Sequence, residues 1–466
     1  MLKLTSNLGT IHRRIPKGIL SLIVCAAFAL QALQEVDYYG FWRNNGIWRW
    51  DRETYYHYLP ATFIYGDVGD LAYVGRIDRK LRPDGEAYMY GISVSAVTGR
   101  NVIKCTYGTA LFELPGFLIA HAYASSRWSI WEANGYSLPY QLAVPVSTIL
   151  FVFLGLLVLR RFMLLYCGDP CTAMALCALS FGTNLWCYST VEAGMCHGYQ
   201  FFLFAVVIVA TDRWHRRPSI GAAAVVGAAI GWIIVVRPVD GLIALVPFCW
   251  DLWPGAVART KWDHVVNNPK HVILGIVAAI VFAIPQLAYW KYTTGSYLFY
   301  SYGGEAIHLG EPHVIDGLFS FRKGWFVYSP LALMGMTGLW LMVRNEQLKA
   351  IGIASLSCLV PLVYVVFCWW QWWYGGGFGC RPLVPALALL ALPIAAVAER
   401  LFARKWTTIA AVLVVYLGVS LNLFQTRQYH LTLIHWADMT FERYETVWGV
   451  GDWDELDKED VERMGQ

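Results

Sequence analysis

Charge is scarce in this chain: Asp, Glu, Lys and Arg make up 15% of its 466 residues, against 57% for the hydrophobic set. An ordinary soluble domain carries about 25% charged residues, so a soluble fold has nowhere to hide this much apolar surface. The mean hydropathy of +0.45 says the same. Also missing are a CxxC pair and any His/Cys spacing typical of zinc. The eleven cysteines are scattered, most of them inside apolar runs where a free thiol acts as a small hydrophobe. The tightest group, Cys167, Cys171 and Cys177, only opens one such run. No Gly-rich phosphate loop follows a strand, so no nucleotide-binding fingerprint is present. Neither an internal repeat nor a Gly/Ser linker marks off a separate soluble domain. The net charge of +4 is spread along the chain and gives no reason to expect nucleic acid as a partner.

What is present is a series of apolar runs of the length a helix needs to cross a hydrocarbon core of about 30 Å. Candidate spans are 18–34, 140–159, 171–187, 198–211, 219–236, 240–253, 271–289, 327–343, 349–368, 382–398 and 406–423. The expected fold class is therefore all-α, a polytopic transmembrane bundle of about eleven spans. Arg13, Arg14 and Lys17 precede the first run, and no small-residue cleavage site follows it before Gln34, Glu35 and Asp37, so it reads as a retained span rather than a signal peptide. Short cytoplasmic connections collect Lys and Arg. Under this assignment Arg13/Arg14/Lys17, Arg160/Arg161, Arg213/Arg216/Arg217, Arg259/Lys261/Lys270, Arg344/Lys349 and Arg400/Arg404/Lys405 share one side. Two segments are awkward. The stretch 107–124 holds Glu113 and Pro115 and reads as an amphipathic helix lying at the outer surface; the run 242–253 is short, yet omitting it reverses every later loop. The layout is N-terminus inside and C-terminus outside, a transmembrane domain over 1–423 and an outer tail over 424–466. The other outer segments are 35–139, 188–197, the Arg237-Pro238 corner, 290–326 and 369–381.

The unusual polar residues fall on that outer side. Asp51 and Glu53 stand in RWDRETYYHYLPATFIYGDV beside Trp50, Tyr55 and Tyr56. A carboxylate at a membrane face can have its pKa raised and act as a general base; the other reading is a solvated loop. Arg237, Lys291, Arg322, Lys323 and Arg381 are cations at outer span ends, where the charge rule disfavours them. An anionic ligand such as a phosphate explains the set, and snorkelling to lipid phosphates explains any single one. The aromatic end of a span at Trp369, Trp370, Trp372, Trp373 and Tyr374, followed by Gly375, Gly376 and Gly377, is an interfacial belt or a platform on which a sugar ring or lipid head group stacks. Glu192 and His197 flank a short outer turn and join the candidate substrate-binding set. In the tail, the aromatic first half is expected to fold as a short helix over the outer face and the last dozen residues to be solvated.

A first span, a large outer loop with an acidic residue and surface helices, then a bundle of further spans resembles the GT-C class of membrane glycosyltransferases. That class includes the dolichyl-phosphate-mannose protein mannosyltransferases and the bacterial transferases that place aminoarabinose on lipid A. The segments WDRETYYHYLPATFIYGD, FSFRKGWFVYSP and WWYGGGFGCRP are similar to a group of bacterial, chiefly Bacteroidetes-type, membrane glycosyltransferases. The resemblance implies a catalytic carboxylate at Asp51, with Glu53 as the fallback. FELPGFLIAH stands where relatives carry a Lys-Pro-Pro type motif; its Pro115 matches and the preceding basic residue does not, so no donor-binding role passes to Glu113.

The activity implied is transfer of a sugar from a polyprenyl-phosphate donor to a hydroxyl of a glycan, lipid or protein acceptor, with inversion, at the outer face of a bacterial inner membrane. Outer cations would stabilise the departing phosphate. Some members use a divalent cation and others none, and the sequence does not decide between them. The rival readings are a transporter or flippase for a lipid-linked sugar and a non-catalytic assembly protein. Transporters show repeat symmetry and mid-membrane ionisable residues, whereas here the charges stand at span ends.

Overall fold

A hydrocarbon solvent offers the backbone no partners, so apolar runs must satisfy their own N–H and C=O groups as helices. The computed structural model describes residues 18–82, 90–252 and 256–464. Arg13, Arg14, Lys17 and Trp253 lie outside the described residues, as does the side chain of Arg259. In chain order the principal helices are α1 (Ile19–Tyr39), α2 (Trp50–Tyr56), α3 (Ala110–Ala124), α4 (Leu138–Met163), α5 (Asp169–Phe181), α6 (Cys196–Arg216), α7 (Ile220–Val236), α8 (Pro269–Thr294), α9 (Ala332–Val343), α10 (Lys349–Val366), α11 (Leu387–Leu401) and α12 (Lys405–His430). Five of them, α1, α4, α8, α10 and α12, are long and apolar enough to cross a membrane. A helix stands at each expected run. The irregular one is 240–253, where a 3₁₀ stretch, Pro238–Ala244, leads into the short helix Leu245–Cys249. A two-stranded antiparallel ribbon, β1 (Ile92–Val94) and β2 (Asn101–Ile103), pairs Ser93 with Val102 between α2 and α3.

Helix α11 is the axis of the bundle: residues 387–398 are all buried, as expected of a helix apolar on every side, and α5 and α9 pack along it. Helices α8 and α12 lie at the periphery, with Ile273, Ile276, Ile280 and Ile284 of α8 exposed, a surface suited to lipid. What holds α8 is a seam of small residues on α7. A Cβ added at Gly227 or Gly231 would overlap the backbone of α8 at Gly275 and Ala279. This is the small-xxx-small close approach by which helices associate when no hydrophobic drive separates protein from lipid.

The two ends of the bundle differ in chemistry. At one end the Arg160 guanidinium donates to Gly18 O at 2.7 Å and to Ser21 Oγ at 2.9 Å. Asp169 accepts the backbone N–H groups of Leu20 and Ser21, and Arg216 pairs with Asp212 at 3.0 Å. These belong to connections assigned to one side by charge. Trp250 stacks on His215 at this end, so the chain returns here from Arg237 even though the intervening segment is not a regular helix. The first outer loop, the 296–313 and 369–381 connections and the tail gather at the other end.

Two expectations change. Helix α3 does not lie flat on the surface; it packs antiparallel along the first half of α4. His121 meets Tyr140 (2.6 Å), Gly116 faces Ala143 and Ser147, and Phe112 reaches Phe151 with ring centroids 4.7 Å apart. The reason is that Phe112, Glu113, Phe117, Ala120 and Ala124 form one buried face, and Gly116 lets the two backbones come close. The end of the tail is solvated only in part: Glu455, Asp457, Lys458, Glu459 and Glu462 are exposed as expected, while Met464 is buried with Leu433, Ile434 and Val447.

Replacing Gly227 with Leu is expected to lower stability by about 3 kcal/mol or more, because overpacking here meets backbone. Gly221→Ala, where a Cβ has nothing within 4 Å, should change it by less than about 0.5 kcal/mol. Thermal unfolding in detergent, followed by tryptophan fluorescence, compares the two; equal losses would refute the seam.

Candidate functional site

A cavity of about 280 Å³ opens at the loop-rich end, and Asp51, Tyr55, His197, Arg237, Tyr374 and Arg381 line it. They come from four places. Asp51 and Tyr55 stand on α2, His197 in the first turn of α6, Arg237 directly after α7, and Tyr374 and Arg381 on the loop that precedes α11. That loop needs its glycines: Gly375 and Gly379 have φ of 61° and 55°, a left-handed conformation that only glycine adopts without cost.

The electrostatic centre is an ion pair. Arg381 Nη2 lies 3.3 Å from Asp51 Oδ2, and the Tyr90 hydroxyl donates to Asp51 Oδ1 at 3.3 Å. Arg237 donates from Nη1 to Pro382 O at 3.1 Å and stands 3.7 Å from Asp240. Its Nη2 is buried without a hydrogen-bond partner among the described residues. The Tyr55 hydroxyl donates to Cys196 Sγ at 3.4 Å. The opposite wall consists of residues that sequence reasoning missed. Lys104, just after β2, pairs with Glu305 and lies 4.9 Å from the centre of the Tyr302 ring, which in turn meets Trp369 edge-on. Lys104 and Glu305 are 201 residues apart, and no local periodicity links them.

The remaining predicted residues lie elsewhere, each with a structural role. Residues two apart on a helix point about 200° apart, so when Asp51 faces the cavity Glu53 faces the protein. Glu53 is buried beside Arg82, 3.5 Å away, and burial, partly offset by that guanidinium, pushes its carboxyl up to about 7. The adjacent His57 is bonded to the Tyr136 hydroxyl at 3.0 Å and driven down to about 3 by burial and by Arg82. Tyr56 packs against Trp48 with centroids 4.2 Å apart and donates to Gly135 O. Glu192 accepts from the Tyr429 hydroxyl at 2.7 Å and faces Arg52 at 3.7 Å, so it ties the end of α12 to the loop before α6. Lys291 donates to Gly295 O at 2.7 Å at the exposed end of α8. Arg322 pairs with Asp438 and lies 3.6 Å over the Trp373 ring. The predicted stacking platform at Trp373 is thereby covered by a guanidinium from its own chain. Lys323 is buried and donates to two backbone carbonyls, Gly377 O and Trp436 O.

Among the described residues no group of three or more His, Cys, Asp or Glu side chains is arranged to hold a metal ion. Asp51, the cavity carboxylate at the centre, already faces a guanidinium. The donor set does not fit a divalent cation.

The position of Glu53 sets a pH dependence. Its folded pKa is raised above the unfolded value of about 4.3, so the folded state binds the proton more tightly and stability falls as pH rises from about 4.5 to about 7. The slope is at most about 1.4 kcal/mol per pH unit. Glu53→Gln is expected to flatten that fall. Chemical denaturation at a series of pH values checks it, and an unchanged slope would remove Glu53 from the account. Compared with protein-family profiles and with curated proteins, the chain matches none.

Proposed function

We propose that the protein is a polytopic membrane glycosyltransferase of GT-C type with about eleven spans. It takes a sugar from a polyprenyl-phosphate donor and passes it to an acceptor hydroxyl at the extracytoplasmic face of a bacterial inner membrane. The observation that carries the reading is the meeting of one carboxylate, Asp51, with two guanidinium groups, Arg381 and Arg237, in a single cavity at one end of an apolar bundle. The topology follows from charge: the end that gathers Arg160, Arg216 and the start of α1 is the cytoplasmic one by the positive-inside rule, which puts the N-terminus inside and the cavity outside.

The chemistry needs three things in reach of one another. A carboxylate oxygen of Asp51 accepts the proton of the acceptor hydroxyl. The acceptor oxygen then forms its bond to the anomeric carbon from the face opposite the phosphate, and the bond from that carbon to the phosphate oxygen breaks, inverting the centre. The electron pair leaves with the polyprenyl phosphate, whose added charge is met by Arg381 and by Nη2 of Arg237, which has no hydrogen-bond partner among the described residues. Glu53, turned away and bound to Arg82, takes no part. A lipid-linked donor suits a site that opens among membrane-associated elements and has no nucleotide-binding loop.

The test is a transfer assay in membranes with radiolabelled polyprenyl-phosphate sugars. Asp51→Asn is expected to lower transfer by about 10³-fold, within the range for loss of a general base, and Arg381→Ala by about 10²-fold. Glu53→Gln should stay within about tenfold of wild type, since a side chain outside the cavity can act only through the fold. Wild type that is well folded yet consumes no donor would sink the enzyme reading and move a transporter or assembly protein ahead of it.

A further inference from the structure

Lys323 was expected to face a ligand phosphate, and it does not line the cavity. Its ammonium is held inside the protein between Gly377 O and Trp436 O, the latter at 2.6 Å, and the residue is 3% exposed. The two acceptors belong to segments far apart in the chain. Gly377 is in the glycine loop that carries Tyr374 and Arg381, and Trp436 is in the C-terminal tail. The same two segments are also joined directly, since Gly377 N–H donates to Trp436 O at 2.9 Å.

The glycine loop passes this constraint on to the cavity. A Cβ at Gly377 would stand 3.3 Å from Arg381 Cδ, so the backbone at 377 is packed against the stem of the arginine. The next residue, Phe378, donates its N–H to the Tyr188 hydroxyl at 3.1 Å, and Arg381 reaches Asp51. The far side of the junction is anchored as firmly. Arg322 holds Asp438 and Ala437 O, and Arg443 donates to Leu433 O and Thr432 O. Burying an ammonium is expensive unless its donors are satisfied. Here burial, together with the nearby Arg381, drives Lys323 down to about 7, a penalty that a side chain of purely local use has no cause to carry.

We propose that Lys323 is a positioning residue that clamps the C-terminal tail onto the glycine loop and so fixes Arg381 opposite Asp51. Arg381's role toward a lipid phosphate rests on the functional reading above; the clamp itself does not. The tail is thereby a working part of the site's support, although it lies outside the cavity.

The experiment uses the full chain in nanodiscs and compares wild type, Lys323→Met and Lys323→Gln. Hydrogen exchange is followed at residues 375–381 and 431–438, and binding of a C55 polyprenyl phosphate is measured in parallel. Met removes both bonds, so exchange at the two segments is expected to rise about tenfold while α8 is unchanged, and the lipid phosphate should bind about tenfold more weakly, the effect of losing a charged hydrogen bond. Gln keeps two N–H donors on a shorter stem and should recover part of both effects, which a loss of packing alone would not produce. Exchange unchanged at both segments, or raised evenly along the chain, overturns the clamp. If wild type itself binds no polyprenyl phosphate, the functional reading fails and the exchange result alone decides the clamp.

Discussion

The arrangement depends on how costly it is to leave a charge unpaired in an apolar bundle. Asp51 comes from the first outer loop and Arg381 from the approach to the central helix, and neither can be withdrawn from water alone. Their contact at 3.3 Å joins the N-terminal and C-terminal halves at the loop-rich end, beside the bonds of Asn184 to Cys380 O and of Phe378 N–H to Tyr188, and the cavity opens around it. The other walls follow from that joint. His197 begins the helix after the Glu192 turn, Arg237 caps α7, and Lys104 reaches across to Glu305.

The same constraint sorts the other ionisable groups. Lys261 sits under the short helix at 245–249 with its ammonium on the carbonyls of Pro247, Phe248 and Trp250. Arg160 closes the start of α1, and Arg82, beside Glu53, donates to Trp48 O at 2.9 Å. In each case a charge secures an irregular piece of backbone whose polar groups lack partners within a helix. Such pairs add little net stability compared with an apolar replacement. What they do is fix one arrangement among the several that a uniformly apolar bundle allows, where packing between greasy helices discriminates weakly.

The positions of the apolar helices, five of them long enough to cross a membrane, were legible in the sequence because hydropathy is a property of each run by itself. Charge on the connections was legible for the same reason, and the structure gathers Arg160 and Arg216 at one end as the pattern required. The orientation of individual side chains was not. Asp51 and Glu53 are indistinguishable in a loop of unknown structure; once α2 forms, their two-residue spacing points them apart. Helix α3 was misjudged because Glu113 looked like a surface residue, whereas Phe112, Phe117 and Gly116 supply a face that fits α4. Lys104, Tyr302 and Glu305 were missed because their proximity is made by tertiary packing across two hundred residues, for which a single sequence carries no signal.

Among the cations that the sequence placed at outer span ends, the structure supplies a physical criterion for separating ligand-binding groups from structural ones. Lys323 and Arg322 bond to carbonyls or a carboxylate of the chain itself, Lys291 stands at the exposed end of α8, and none of the three lines the cavity. Arg237 keeps Nη2 without a hydrogen-bond partner among the described residues while its Nη1 is anchored to Pro382 O, so the guanidinium is held and still has a donor to give. Arg381 shares its charge with Asp51, and an oxyanion between the two arginines would meet donors from both sides without dismantling the backbone that holds them. Preorganisation of this kind places the reorganisation cost in folding rather than in the transfer proposed above. It is also why the clamp at Lys323 and the pair at Asp51 belong to one design: the first keeps the loop from relaxing, and the second is the contact that the held loop makes.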